Sequence, residues 1–312
     1  MKIVFYSPGK KVQSWLDSLA ANLPAAEIWA WSSQCAGRQA DYAVVWAPPA
    51  ELFAKQQNLK AVINIGAGAD RVLRIADADA LLRDIPVVRL NDAGMAVQMA
   101  EYVCHALIRH TREFAAYEGY QRDRKWKTLP ALDRAKWPVG VMGLGAIGAR
   151  VADAIACFEF PVNGWSRTPK GLTGITTYAG AEQLDEFLVA TRVLVCVLPL
   201  TLETEGILNA RTLGALKPKG ILINVARGEH LIERDLLALL ANGHLAGATL
   251  DVFRDEPLPP GHAFWDHPLI TVTPHVAAIT LVAESAAQIA QKIRAMERGQ
   301  PVDGVVERSR GY

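Results

Sequence analysis

The run VGVMGLGAIGARVADAIA, residues 139–156, constrains this chain more than any other stretch. Gly143, Gly145 and Gly148 form a GxGxxG. Glycine triplets recur by chance, so the context carries the weight: a strand-like apolar run comes before and a helical run opens after. In that setting Gly143 makes a tight turn, Gly145 lets the backbone approach a pyrophosphate, and Gly148 lets helix pack closely on strand. The N–H groups of the first helical turn, around Ala146, Ile147 and Gly148, together with the positive helix end, favour that pyrophosphate. The run predicts a dinucleotide-binding parallel sheet.

A carboxylate that holds a ribose 2′-hydroxyl is expected roughly 20 residues on, at the end of the next strand. That strand, FPVNGW, instead leads into Ser166, Arg167 and Thr168, with Lys170 just beyond. An aspartate would repel a 2′-phosphate, whereas a guanidinium can fork onto it. Hydroxyls of Ser166 and Thr168 can add donors. Two charge-assisted bonds at about 1.5–3 kcal/mol each favour NADP over NAD by about 100-fold or more. The expected cofactor is therefore NADPH, with NADH a weaker alternative.

The same alternation of short apolar runs and helical spacing extends over the whole chain. KIVFY, DYAVVWA, KAVINIG and VVRL read as strands, with VQSWLDSLAANL and DRVLRIADADALL as helices between them. From Met95 to about Tyr120 the spacing predicts one long connecting helix. A second series opens at WPVGVMGLG and continues through RVLVCVLP, GILINVA, GATLDVF and LITVTPH, followed by the amphipathic VAESAAQIAQKIRAMERG. The expected fold class is α/β, with two doubly wound parallel-sheet domains: a flavodoxin-like substrate domain (residues 1–95 plus 281–312) and a Rossmann dinucleotide-binding domain (96–280). A chain of 312 residues commonly needs two cores.

Bulk properties narrow the partners. Thirty-three basic against 32 acidic residues leave a net charge of +1, which argues against nucleic acid or an anionic membrane surface. The four cysteines, Cys35, Cys104, Cys157 and Cys196, have no metal or redox spacing and read as small buried thiols. With no leader-like or membrane-length apolar run, a cytoplasmic protein is expected.

Three polar groups stand at strand ends in the second series: Arg227 after GILINVA, Asp251 with Glu256 after GATL, and His275 after LITVTP. In an open parallel sheet the reactive end of a cofactor lies beyond such ends. A guanidinium binds a carboxylate bidentately, an imidazolium can protonate an alkoxide, and a carboxylate on the ring orients it. Taken singly, each has a plainer reading: a turn cap, a loop carboxylate, a core histidine. His105, His110, His230, His244, His262 and His267 look ordinary.

The blocks NVARG, LDVFRDEPLP and TPH, within LPLTLETEGILN…TPHVAA, resemble the D-isomer-specific 2-hydroxyacid dehydrogenase family over essentially the whole chain. FYSP, DYAVVWAPP, NIGAGADRVL, SRT and the terminal RGY are similar to its branch that reduces glyoxylate and hydroxypyruvate. The resemblance implies NADPH-dependent reduction of small 2-oxo acids in a cytoplasmic homodimer. It gives Arg227 the substrate carboxylate, His275 the proton donation, and Glu256 the partnering of His275. It sets Leu198, Pro199, Ala226 and Asp251 beside the cofactor, with Asp251 at its nicotinamide end. It matches the N–H groups of Ala67 and Gly68 to a loop receiving the substrate carboxylate. Trp46, at the end of YAVVW, is expected either to wall the pocket or to be a core aromatic. The alternatives are a relative acting on another acid, of phosphoglycerate or phosphite type, or a dinucleotide-sensing interaction protein of corepressor type. No extra cationic pocket for a substrate phosphate is visible, and the retained Arg, Glu and His favour an enzyme.

Overall fold

The structure, a computed structural model, describes residues 1–312 apart from 10, 36, 67, 79–81 and 312, and leaves aside the side chains of residues 78 and 309. Contacts divide the chain into two compact units, residues 1–94 with 280–312 and residues 95–279.

The first unit holds a five-stranded sheet. Its strands are β1 (Lys2–Tyr6), β2 (Glu27–Ala30), β3 (Tyr42–Val45), β4 (Ala61–Asn64) and β5 (Val87–Arg89). Their order is β2-β1-β3-β4-β5, and every pairing is parallel. This is the flavodoxin-like order. All four residues of β3 and of β4 are buried, as expected for strands covered on both faces. Helix α1 (Val12–Asn22) buries Trp15 and Leu19, one turn apart, and packs against the terminal helix Val282–Glu297. Helix α2 (Asp70–Ala78) follows β4.

The end of the chain is laced to this sheet. The Val306 N–H donates to the Val87 carbonyl at 2.8 Å and the Arg89 N–H to the Gly304 carbonyl at 2.9 Å. Lys292 on the terminal helix is 3% exposed. Its ammonium donates to the Asp303 carboxylate at 2.5 Å and the Asp303 carbonyl at 2.7 Å.

The second unit opens with the long helix expected from the spacing, but the helix is interrupted. α3 (Met95–Thr111) ends before Glu113, whose φ of 53° is left-handed, and α4 (Phe114–Arg122) starts afresh. Apolar periodicity runs through the break and hides it. Seven strands follow: β6 (Val139–Met142), β7 (Val162–Ser166), β8 (Thr176–Ala179), β9 (Val193–Cys196), β10 (Gly220–Asn224), β11 (Leu245–Leu250) and β12 (Ile270–Val272). The helices among them are α5 (Ala146–Ala156), α6 (Leu184–Ala190), α7 (Ala210–Gly214) and α8 (Glu233–Ala241). The sheet order is β12-β11-β10-β9-β6-β7-β8, all parallel. The chain winds outward from β6 in one direction and from β9 in the other. The crevice where the order reverses therefore lies between the loops after β6 and β9.

Two expectations need correction. Strands β2 and β8 and helices α6 and α7 were not anticipated, being short and, in β8, polar. Cys104 and Cys196 are buried as expected, and burial pushes Cys196 up to about 12. Cys35 is only half-buried and Cys157 is exposed, because Cys157 lies just past the end of α5. No helix among the described residues is long and apolar enough to cross a membrane.

Removing the Asp303 carboxylate leaves a buried ammonium with little compensation. Since Asp303 is itself exposed, the cost falls between surface and buried pairs, about 1–3 kcal/mol. Urea denaturation followed by circular dichroism should show that loss for Asp303→Ala. It should also show most of it returned when Lys292→Met is added, since no charge is then buried.

Candidate active site

The glycine loop follows from steric demands. Gly143 has φ 103°, open to glycine, and a Cβ there would sit 2.9 Å from the Val197 carbonyl oxygen. A Cβ on Gly148 would lie 1.7 Å from the Gly143 oxygen, so α5 meets β6 only through a bare backbone. A Cβ on Gly145, in contrast, would meet nothing within 4 Å. Space in front of α5 is thus open where its first N–H groups, at Ala146, Ile147 and Gly148, have no acceptor within the helix. These residues fit a dinucleotide pyrophosphate.

At the end of β7, Arg167 and Thr168 are exposed, and residues 166–175 contain no carboxylate. Ser166 departs from its expected outward donation. It is buried, and its hydroxyl donates to the Thr168 carbonyl at 2.8 Å, so its proton shapes the turn that presents Arg167.

Arg227 stands three residues past β10. The buried Asn224 braces its loop, donating from Nδ2 to the Arg227 carbonyl at 3.0 Å and accepting from the Ala226 N–H at 3.2 Å. Gly228 then passes so close to the next loop that a Cβ would lie 1.9 Å from the Phe253 carbonyl carbon. This contact brings the Arg227 loop against the segment that ends in Glu256. One Glu256 oxygen accepts the Phe253 N–H at 3.0 Å, and the other lies 2.8 Å from His275 Nδ1. Burial raises the Glu256 carboxyl. The hydrogen bonds from His275 and Phe253, with the charges of His275 and Arg227, outweigh burial and hold it below its ordinary value. An ionised Glu256 requires the proton on Nδ1, which leaves Nε2 as the outward nitrogen of His275.

Asp251, 1% exposed, is committed to the loop that carries His275. Its Oδ1 accepts the Thr273 hydroxyl at 2.6 Å and the Val276 N–H at 2.9 Å, and its Oδ2 accepts the Ala277 N–H at 2.8 Å. The His275 N–H donates to the Asp251 carbonyl at 2.8 Å. His275 itself has φ 54°, a left-handed conformation that an L-residue keeps only when its surroundings insist. Thr273 has spent its proton on Asp251, so the Tyr102 hydroxyl, 2.5 Å away on α3, is the donor to Thr273 Oγ1. Burial, with the Asp251 charge, pushes Tyr102 up to about 12, which keeps that donor protonated.

Leu198 is buried and Pro199 partly so, on the loop after β9. Ala226 is buried, and its carbonyl accepts from Arg227 Nη1 at 2.6 Å. In the first unit, Trp46 is half-buried just past β3, its ring filling the place a Cβ on Gly66 would take, 2.2 Å from Cζ3. Ala67 lies outside the described residues. Gly68 and Gly66 are held by the buried Asn64, whose Nδ2 donates to both carbonyls at 2.9 Å. Asn64, Tyr102, Asn224, Gly228, His230 and Thr273 escaped the sequence reading. For Asn64 and Asn224 the available signal was an amide closing an otherwise apolar strand.

The sheet order, the bare glycine loop and the polar groups past β10, β11 and β12 define a dinucleotide-binding oxidoreductase fold. Residues 104–277 match the family described as D-isomer specific 2-hydroxyacid dehydrogenase, NAD binding domain. The chain is 43% identical to a Yersinia enterocolitica protein named glyoxylate/hydroxypyruvate reductase A, covering 100% of both. A Serratia proteamaculans protein of the same name is 44% identical, again over 100% of both. Among solved structures, a D-isomer specific 2-hydroxyacid dehydrogenase from Xanthobacter autotrophicus, in complex with NADPH and MES, has 41% identity and a TM-score of 0.92 over 100% of this chain and 99% of that one. An NADPH-dependent glyoxylate/hydroxypyruvate reductase from Sinorhizobium meliloti, in complex with NADP and sulfate, has 36% identity and a TM-score of 0.92 over the same shares. The chain belongs to the D-isomer specific 2-hydroxyacid dehydrogenase family.

Two measurements follow from this geometry. Asp251→Asn turns a donor toward at least one backbone N–H. Losing a bond to a charged acceptor, about 1.5–3 kcal/mol, should speed amide exchange at Val276 or Ala277 by about tenfold or more. Unchanged exchange would mean that the loop holds itself. The lowered Glu256 carboxyl adds stability that is complete above 4.5 and is lost as pH falls through the lower folded value. The urea midpoint of the wild type, relative to Glu256→Gln, should therefore shrink as pH drops below 4.5 and stay level above it.

Proposed function

We propose that this chain is an NADPH-dependent reductase of short 2-oxo acids, taking glyoxylate to glycolate and hydroxypyruvate to D-glycerate. The observation that carries the reading is the 2.8 Å contact of His275 with Glu256, set beside the Arg227 loop at the ends of parallel strands. NADPH, when bound, supplies the hydride. Gly143, Gly145 and Gly148, with the N–H groups of Ala146 and Ile147, hold its pyrophosphate. Arg167 and Thr168 take the 2′-phosphate, on a turn closed by Ser166. Leu198, Pro199 and Ala226 line the nicotinamide end, and Asp251 serves that end by fixing the His275 loop.

Arg227 binds the substrate carboxylate through paired N–H groups and draws electron density from the adjacent carbonyl. His275 delivers its Nε2 proton to the carbonyl oxygen as that oxygen gains negative charge. Glu256 keeps the ring turned and balances its charge before the transfer. We assign the Gly68 N–H, on the loop braced by Asn64, a carboxylate-receiving role, and Trp46 a limit on substrate size. A homodimer in the cytoplasm belongs to the same reading. Four free thiols suit a reducing compartment.

Initial rates with NADPH and NADH, each with glyoxylate and hydroxypyruvate, test it. Turnover should favour NADPH by about 100-fold, and Arg167→Ala should cut kcat/KM with NADPH about 10- to 100-fold while leaving NADH within about twofold. Equal rates with both cofactors would remove the phosphate role of Arg167. Binding of NADPH without turnover of either acid would remove the reductase reading.

A further inference from the structure

One fully buried histidine stands between two of the loops to which these roles are given. His230, 0% exposed, closes the short turn that follows Arg227. Its Nδ1 lies 3.1 Å from the Arg227 carbonyl oxygen and its Nε2 lies 3.2 Å from the Pro199 carbonyl oxygen. The first contact is local to its own turn. The second crosses to the loop after β9.

That crossing matters because of where the sheet stops. The ladder of β9 with β10 ends at Cys196 and Asn224, with a last backbone bond from the Val225 N–H to the Cys196 carbonyl at 3.3 Å. Farther out, the Gly206 and Leu208 N–H groups donate to the Glu229 and His230 carbonyls, both at 2.9 Å. Between these, the segments holding Pro199 and Arg227 are joined through the His230 ring. We propose that His230 is a positioning residue for the reduction, its Nε2 donation to Pro199 keeping the nicotinamide-side loop in register with the Arg227 clamp. The inference rests on the reductase reading above. Burial pulls His230 below its ordinary value, the two carbonyls resist this, Arg227 adds to it and Glu229 opposes it. The resulting neutral ring has one N–H, and only placement on Nε2 ties the two loops. Each carbonyl also has a second donor, Asn224 Nδ2 for Arg227 and the Thr204 hydroxyl for Pro199, so neither is orphaned by the choice of tautomer. Hydride transfer needs the reacting atoms aligned closely, and a misplacement of about 1 Å costs about 100-fold.

Two isosteric variants separate the contacts. In His230→Gln the amide nitrogen reaches as far as Nε2, and in His230→Asn only as far as Nδ1. With glyoxylate and NADPH, kcat should fall about tenfold or more in His230→Asn and stay within about threefold of wild type in His230→Gln. The Kd for NADPH, read by fluorescence titration, should move less than about threefold in both. Wild-type kcat in His230→Asn overturns the proposal, as does an equal loss in both variants that tracks a fall in Tm. Should His230→Asn fail to fold, Thr204→Val decides, because Thr204 is the other donor to the Pro199 carbonyl, at 2.7 Å. Near-normal kcat there supports His230 as the holder of Pro199, and a tenfold loss overturns it. A wild-type chain that turns over no 2-oxo acid removes the reductase reading and this one together. A working wild type with unaffected variants removes only this one.

Discussion

The buried carboxylate at the end of β11 is the constraint on which the candidate site depends. Asp251 accepts two N–H groups and a hydroxyl from the five residues around His275, and its carbonyl takes the His275 N–H as well. A histidine at φ 54° carries a backbone strain of about 1–3 kcal/mol. Several hydrogen bonds to one charged group, about 1.5–3 kcal/mol each, exceed that strain. Tyr102 extends the same network into α3 through Thr273. The outcome is an imidazole whose backbone is settled before Glu256 settles its ring. Two carboxylates thus act on one histidine, one on its main chain and one on its side chain.

The other side of the crevice is shaped by the absence of side chains. Where Gly143, Gly148 and Gly228 stand, any Cβ would collide with backbone, so the loops after β6 and β10 approach their neighbours at main-chain distance. Gly145 differs in kind, since a Cβ there would meet open space. Its value is clearance for a ligand. Close packing at Gly143 and Gly148 and clearance at Gly145 place helix α5, with its positive end, in front of the strand-order reversal, where an anionic group is best accommodated. The turn after β7 adds a cation and no carboxylate.

What is legible in the amino-acid sequence alone follows physical range. Long apolar alternation showed β1, β3, β4, β6, β9, β10 and β11, because strands buried on both faces leave unmistakable runs of Val, Ile and Leu. The edge strands β2 and β8, half-exposed and partly polar, left no such run. The break at Glu113 was hidden because periodicity reports on faces and says nothing of a single left-handed residue. Arg227, Glu256 and His275 were legible as polar residues at strand ends. His230 was passed over as one histidine in a polar stretch, yet it is fully buried. Its meaning depends on the Pro199 carbonyl, thirty-one positions away in the chain.

The amino-acid sequence by itself determined the two parallel sheets, the glycine loop before α5 and the carboxylate-free basic turn after β7, because each rests on neighbours within one strand, turn or helix. Tertiary structure alone decided how the side chains share their hydrogen bonds. Asp251 closed on the His275 loop, and the His230 ring came within reach of the Pro199 carbonyl. These outcomes depend on distances between segments far apart in the chain, and a buried polar group takes whichever partner the packing brings within about 3 Å.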